Sequence, residues 1–92
     1  METALATYRN AAARYEGEPS ALTAHVQMAN IHVRRGELPE AARALERARW
    51  LLRTIPDESF ADYHGPDRAT WDRFLTTVLG SDLFRDVFAA AR

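Results

Sequence analysis

The segment from Gly36 to Pro56, GELPEAARALERARWLLRTIP, decides the fold of this 92-residue chain. Apolar residues recur in it at steps of three and four, which is the spacing of one buried helix face. These residues are Leu38, Ala41, Leu45, Ala48, Leu52 and Ile55. A glycine precedes the pattern and a proline follows it, so the segment predicts a helix over 38–55. The small alanines on this face would allow a neighbouring helix to approach closely.

Helical spacing continues through most of the chain on both sides of this segment. It predicts four further helices, over 2–15, 20–35, 67–79 and 82–91. The least regular stretch, 57–66, is predicted to be a loop with at most one short helical turn. No stretch shows the pattern of a strand, so the predicted fold class is all-α. Because the connections are short, neighbouring helices should form antiparallel hairpins.

Composition limits the classes of function that the chain can have. Its net charge of -1 is too balanced for a general polyanion binder, so we expect no nucleic-acid partner. It has no cysteine, which excludes disulfides and thiolate metal sites. No apolar run reaches the ~18 residues of a membrane span, and METALATYRN at the start lacks the pattern of a signal peptide. We therefore expect one cytoplasmic domain over 1–92, without membrane association.

Residues 22–55 contain an ordered series of large and small positions. A large residue, an apolar–small pair, another large residue and a glycine are followed by small, large and small residues. They are His25, Met28, Ala29, His32, Gly36, Ala41, Leu45 and Ala48. This series resembles the tetratricopeptide repeat, a unit of about 34 residues that pairs two helices. The resemblance implies a short solenoid of stacked hairpins, with 22–55 as the best-matching repeat and 67–91 as a capping hairpin.

The same resemblance implies a noncatalytic module, such as a small adaptor, chaperone or accessory subunit, that binds a peptide or a partner protein. In this family the first helix of each repeat lines the binding groove. The polar ridge of the second predicted helix consists of Thr23, Gln27, Asn30 and Arg34. Asparagine both donates and accepts hydrogen bonds, and arginine can grip a carboxylate, so we expect this ridge to face the partner. An ordinary solvated face is the alternative interpretation.

A second candidate partner surface consists of Arg43, Arg47, Trp50 and Arg53. On a helical wheel Trp50 points away from the apolar face, alongside Arg43 and Arg47. Stacking of the next hairpin would cover this tryptophan. Otherwise it is an exposed anchor on which arginines stack. Self-association is also expected to be possible, because so short a stack leaves apolar surface to bury.

Two other functions remain open at this stage. A nucleic-acid regulator would place arginines on phosphates, namely Arg34, Arg35, Arg43, Arg47 and Arg49. A metal-dependent enzyme would use the acidic loop that holds Asp57, Glu58, Asp62, His64 and Asp67. That loop does not have the spacing of an EF-hand, and no catalytic motif or phosphate-binding glycine loop is present. We therefore predict no enzyme activity, no metal and no cofactor.

Two histidines on the second predicted helix are interpreted as core residues. His25 and His32 are seven residues apart, whereas two metal ligands on one helix face lie three or four apart. They also occupy positions at which the tetratricopeptide repeat has aromatic residues. We therefore expect both imidazoles to be at least partly buried.

Overall fold

The computed structural model describes residues 2–61 and 64–90, together with their side chains except those of Glu2, Asp86 and 88–90. It contains five α-helices, which are α1 (Glu2–Arg14), α2 (Pro19–Arg34), α3 (Leu38–Thr54), α4 (Arg68–Leu79) and α5 (Asp82–Ala90). A short 3-10 helix, Asp57–Phe60, lies between α3 and α4. The described residues contain no strand, so the predicted all-α class is confirmed. None of the described helices is long and apolar enough to cross a bilayer.

The turn between α2 and α3 is a glycine-terminated helix end. Gly36 has a φ of +75°, in the left-handed region that side chains disfavour. Its N–H donates to the Val33 carbonyl at 3.0 Å, and the Glu37 N–H donates to the His32 carbonyl at 2.8 Å. This pair of bonds satisfies carbonyls that the last turn of α2 would otherwise leave without partners. The chain reverses here, and α3 packs along α2.

Helix α3 is the centre of the molecule, since α2, α4 and α5 all pack against it. Ala41 and Ala48 are completely buried and Leu45 is 3% exposed, so the predicted packed face is confirmed. Ala42 and Leu51 are buried as well, although they lie outside the predicted face. A helix with neighbours on several sides needs more than one apolar stripe, and this is why the sequence pattern underestimated its burial.

Helix α2 is buried on two faces. Leu22 and Ala29 belong to the main core, which they share with α3. A second cluster joins α2 to α1 and consists of Leu5, Ala12, Ala24, Met28 and Ile31. Helix α2 is therefore a middle layer between α1 and α3.

The two C-terminal helices complete the main core. Trp71, Leu75, Leu79 and Phe84 are its buried members from α4 and α5. Both helices contact α3 more extensively than they contact each other. Leu83 of α5 is 47% exposed and is not part of this core. The Ser81 hydroxyl donates to the Val78 carbonyl near the end of α4, at 2.6 Å.

Arg68 fastens the loop between α3 and α4, a role that the sequence pattern did not indicate. Its guanidinium donates to the carbonyls of Leu52 and Ile55, and also to the Asp57 carboxylate at 3.0 Å. It also lies 5.1 Å from the centre of the Phe60 ring. The last carbonyls of a helix have no partners within the helix and carry partial negative charge. Arg68 thus caps α3 from the first residue of α4.

Candidate partner-binding surfaces

A groove of about 270 Å³ lies between α2 and α4, toward the amino-terminal ends of both helices. It is lined by Thr23, Val26, Gln27, Pro66, Thr70, Trp71 and Phe74, and we call it the α2–α4 groove. Trp71 is 6% exposed, whereas Phe74 is 44% exposed, and their rings meet edge to face with centres 6.2 Å apart. The lining is mostly apolar, with an amide and hydroxyl groups among it. Such a lining suits an apolar side chain whose flanking backbone needs hydrogen-bond partners.

The groove takes in only part of the predicted polar ridge. Thr23 and Gln27 line it, and Gln27 is partly buried there. Asn30 and Arg34 are exposed on α2 but do not line the groove. The structure therefore brings together the first half of the predicted ridge and leaves the second half on the open surface of α2.

The residues that α4 contributes to the groove were not identified as site residues from the sequence. Phe74 lies on the apolar face of α4, but nearly half of its surface is exposed. One signal in the sequence could have identified them, namely the width of the apolar face of α4. This face covers more of the helix surface than packing against a single neighbour requires, and its residues are Trp71, Phe74, Leu75 and Val78. The indole N–H of Trp71 is buried and has no hydrogen-bond partner. Buried donors of this kind are rare, since each costs roughly 1–3 kcal/mol.

Trp50 is 53% exposed, so the prediction that the next hairpin covers it is wrong. Helices α4 and α5 both pack on α3. The guanidinium carbon of Arg47 lies 4.7 Å from the centre of the indole, which is a cation–π contact. Arg43 and Arg53 are exposed on the same helix, and Arg43 pairs with Glu40 at 3.0 Å. Trp50 is therefore exposed with Arg47 against its ring, and its role as an anchor for a partner stays a prediction.

A second cavity, of about 250 Å³, lies where α1, α2 and α3 meet, and we call it the arginine cleft. Its lining residues are Arg9, Ala12, Ala13, Glu16, His25, Met28, Arg47 and Leu51. Arg47 and Glu16 form a long ion pair of 3.9 Å across it. Arg9 and Glu16 were not singled out from the sequence, because nothing in their spacing connects them to α3.

His25 and His32 are both partly buried, as predicted for core histidines. Burial lowers the pKa of His25, and the nearby Arg47 lowers it further, while Glu16 acts in the opposite direction. Nδ1 of His32 lies 2.9 Å from the Glu37 carboxylate. His32 therefore helps to hold the turn between α2 and α3, whereas His25 faces the arginine cleft.

Three of the five arginines proposed for a nucleic-acid surface have acidic neighbours. Arg35 pairs with Glu37 at 3.2 Å, and ion pairs also connect Arg43 and Arg47 to glutamates. Phosphate binding depends on uncompensated positive charge, so these pairs weaken the attraction of the surface for a polyanion.

The acidic loop uses two of its carboxylates to hold the fold. Asp57 pairs with Arg68, and the Asp67 carboxylate accepts from the Thr70 N–H at 2.9 Å as the cap of α4. Hydrogen bonds from the Thr70 side chain, and then from its backbone N–H, lower the pKa of Asp67. Asp62, another acidic residue of this loop, lies outside the described residues. Among the residues that the structure describes, no three histidine, aspartate or glutamate side chains are grouped so as to hold a metal ion.

No protein-family model, curated protein or solved structure matches the chain. The likeness to the tetratricopeptide repeat therefore stays a prediction from the residue pattern.

Proposed function

We propose that this protein is a noncatalytic interaction module that binds a peptide segment of a partner protein in the α2–α4 groove. The observation that carries the proposal is the 44% exposed side chain of Phe74 next to the nearly buried Trp71. A large aromatic side chain left open in a concave site is typical of a position where a partner inserts a side chain. The peptide would place an apolar side chain against the two rings.

The size and lining of the groove favour a peptide over a small molecule. Its 270 Å³ is below the range of about 300–1,000 Å³ that is usual for small-molecule sites. The Gln27 amide and the Thr70 hydroxyl lie in the same groove and can exchange hydrogen bonds with a peptide backbone. Because the groove is already formed by packed helices, most of the ordering cost on binding would fall on the peptide.

Two features of the packing support a tetratricopeptide-like arrangement. Helix α2 is buried against both α1 and α3, as expected for a middle layer of a stack. The groove lies between α2 and α4, which would be the first helices of successive repeats and which line the binding groove in that family. The proposal includes a cytoplasmic adaptor, chaperone or accessory subunit, and self-association remains one form that it can take.

The experiment compares two apolar residues with nearly equal exposure. Phe74 (44% exposed) lines the groove, and Leu83 (47% exposed) lies on α5 outside it. The Phe74→Ser and Leu83→Ser variants would each be used to capture partners from the native host, and the mass of each complex would be measured. We expect Phe74→Ser to lose the bound protein and Leu83→Ser to retain it.

Folding must be confirmed first, by circular dichroism and thermal unfolding of both variants. Equal retention of the partner by both folded variants would contradict the groove as the binding site. Equal loss would show that nonspecific apolar surface, rather than the groove, holds the partner. If the captured mass is a second copy of the chain, the interaction is self-association.

A further inference from the structure

The residues that line the arginine cleft have more positive than negative charge. Arg9 approaches it from α1 and Arg47 from α3, while Glu16 is the one carboxylate among its described lining residues. His25 also faces the cleft, and its lowered pKa keeps the imidazole neutral at pH 7. The lining therefore has a net charge of +1 (two arginines and one glutamate), placed around an apolar floor of Met28 and Leu51. A small cavity with an uncompensated arginine attracts a carboxylate.

The internal carboxylate is held loosely. Glu16 lies 3.9 Å from Arg47, beyond the 2.7–2.9 Å of a charge-assisted hydrogen bond, and its side chain is 65% exposed. An incoming carboxylate could replace the Glu16 carboxylate on the Arg47 guanidinium with little desolvation cost. The displaced Glu16 side chain would rotate into the solvent, to which it is already largely exposed. The guanidinium can donate two parallel hydrogen bonds to one carboxylate, and the present geometry of Glu16 does not achieve this.

Trp50 contacts Arg47 but is not one of the residues that line the cleft. The indole is 53% exposed and lies 4.7 Å from the same guanidinium that faces Glu16. One arginine thus connects a site for an acid with an aromatic face that is open to solvent. Tryptophan and arginine are the residue types that most often dominate binding energy at protein interfaces.

We propose that the arginine cleft binds the carboxylate of an acidic residue from a partner protein, while Trp50 contacts the apolar residue beside it. The cavity of about 250 Å³ is the size for a side chain rather than for a metabolite. The cleft is separate from the α2–α4 groove and shares no lining residue with it. This site therefore does not depend on the function proposed for the groove.

The test uses NMR titration of the full chain with two short peptides. The probe is acetyl-Glu-Leu-amide, and its matched control, acetyl-Gln-Leu-amide, has the same shape without the charge. With the probe we expect signal changes at the Arg9 and Arg47 side chains, at the His25 ring and at the Trp50 indole. We expect weak binding, on the order of millimolar for so small a ligand. The glutamine peptide should leave these signals nearly unchanged.

The His25 ring gives a second readout. A bound carboxylate favours the protonated imidazole, so saturation with the probe should raise the His25 pKa from its lowered position. The charged groups that face this ring are Arg9 and Glu16 from the α1 side and Arg47 from α3. Binding should therefore strengthen as the pH falls, beginning where the imidazole of the complex takes up a proton that the unbound ring does not, and it should level off once the unbound ring is protonated as well.

Variants separate this site from general electrostatic attraction. Arg9→Gln and Arg47→Gln should each weaken probe binding about tenfold or more, which is the loss of one charge-assisted contact. Arg53→Gln removes an exposed arginine of the same helix that does not line the cleft, and it should have little effect. If Arg47→Gln does not fold, Arg9→Gln alone decides the result. The groove variant Phe74→Ser should bind the probe normally.

A third ligand, sodium hexanoate, distinguishes a peptide acid from a free small carboxylate. Hexanoate that perturbs the cleft more strongly than the glutamate peptide would overturn the assignment to a protein partner. Equal responses to the glutamate and glutamine peptides, or unchanged binding in a folded Arg9→Gln variant, would overturn the carboxylate site itself. Absence of any response at the cleft to the glutamate peptide would also overturn it.

Discussion

Enlarging Ala48 tests whether the methyl groups of α3 are there to allow close packing. This side chain is fully buried, and it belongs to the main core together with residues of α2, α4 and α5. Ala48→Leu adds three carbon atoms at a position where none of the native surface is open to solvent. The extra atoms have to displace neighbouring side chains or separate the helices.

Overpacking of a core typically costs about 1–3 kcal/mol, and the tight contact here places the expected loss near 2 kcal/mol. A domain of this length has a free energy of unfolding of roughly 5–14 kcal/mol, so the variant should still fold. A loss of about 2 kcal/mol corresponds to a fall in Tm of roughly 8–16 °C. Urea unfolding and thermal scans, both followed by circular dichroism, measure the two quantities.

Ala6→Leu is the matched control, because Ala6 is an exposed alanine inside α1. Alanine and leucine have similar helix propensities, so the free energy of unfolding should change by less than about 0.5 kcal/mol. The reasoning would be refuted if Ala48→Leu were as stable as Ala6→Leu. Such a result would mean that the alanine face of α3 has room for larger side chains.

Three further predictions concern the ends of helices and the buried imidazole. Arg68→Ala should lower the free energy of unfolding, measured by urea unfolding, by about 1.5–3 kcal/mol, because it leaves helix-end carbonyls unpaired. Its control is Arg73→Ala, which removes an exposed arginine and should lower that free energy by less than about 0.5 kcal/mol. Gly36→Ala should lower the free energy of unfolding by about 1–2 kcal/mol in the same assay. All of this loss comes from the positive φ, because an added Cβ meets nothing within 4 Å. Gly36→Asn should lower it less. Burial lowers the His25 pKa below 6.5 in the folded chain. Below about pH 6.5 the unfolded chain therefore takes up a proton that the folded chain does not, and the free energy of unfolding declines as the pH falls. The slope of Tm against pH between 5 and 7 should therefore be smaller in His25→Phe than in the native chain, and an unchanged slope would contradict this interpretation.

Much of the fold could be predicted from the spacing of apolar residues. The step of three and four from Leu38 to Ile55 located α3 and its buried face, because burial against a neighbour requires that period. The spacing could not show how many neighbours α3 has. Ala42 and Leu51 are buried since the helix is surrounded on several sides, and that is a property of the tertiary arrangement rather than of the segment.

The candidate surfaces were predictable only where one helix supplies the residues. Trp50 and Arg47 lie one turn apart on α3, so a helical wheel brings them together without knowledge of the rest of the molecule. The α2–α4 groove and the arginine cleft each combine residues from different helices. Arg9 is 38 positions from Arg47 in the sequence, and only the packing of both α1 and α3 against α2 shows that the two face one cavity.

Arg68 illustrates a third kind of limit. An arginine at the start of a helix is in an unfavourable position with respect to the helix dipole, so the local sequence gives no reason to expect it there. Its position is explained by the carboxyl end of α3, whose carbonyls it caps after the chain has turned back. Interactions of this kind require both helices to be in place before they can be recognised.

Photo-crosslinking from the wall of the α2–α4 groove tests the central claim of this account most directly. A photoreactive residue would replace Thr70, which is exposed and lines the groove, or Asp72, which is exposed on the same helix outside it. In cells of the native host, we expect the residue at position 70 to crosslink to a discrete peptide segment of a partner and the residue at position 72 to crosslink little. Crosslinking from position 72 with none from position 70 would contradict the claim that this groove binds a peptide.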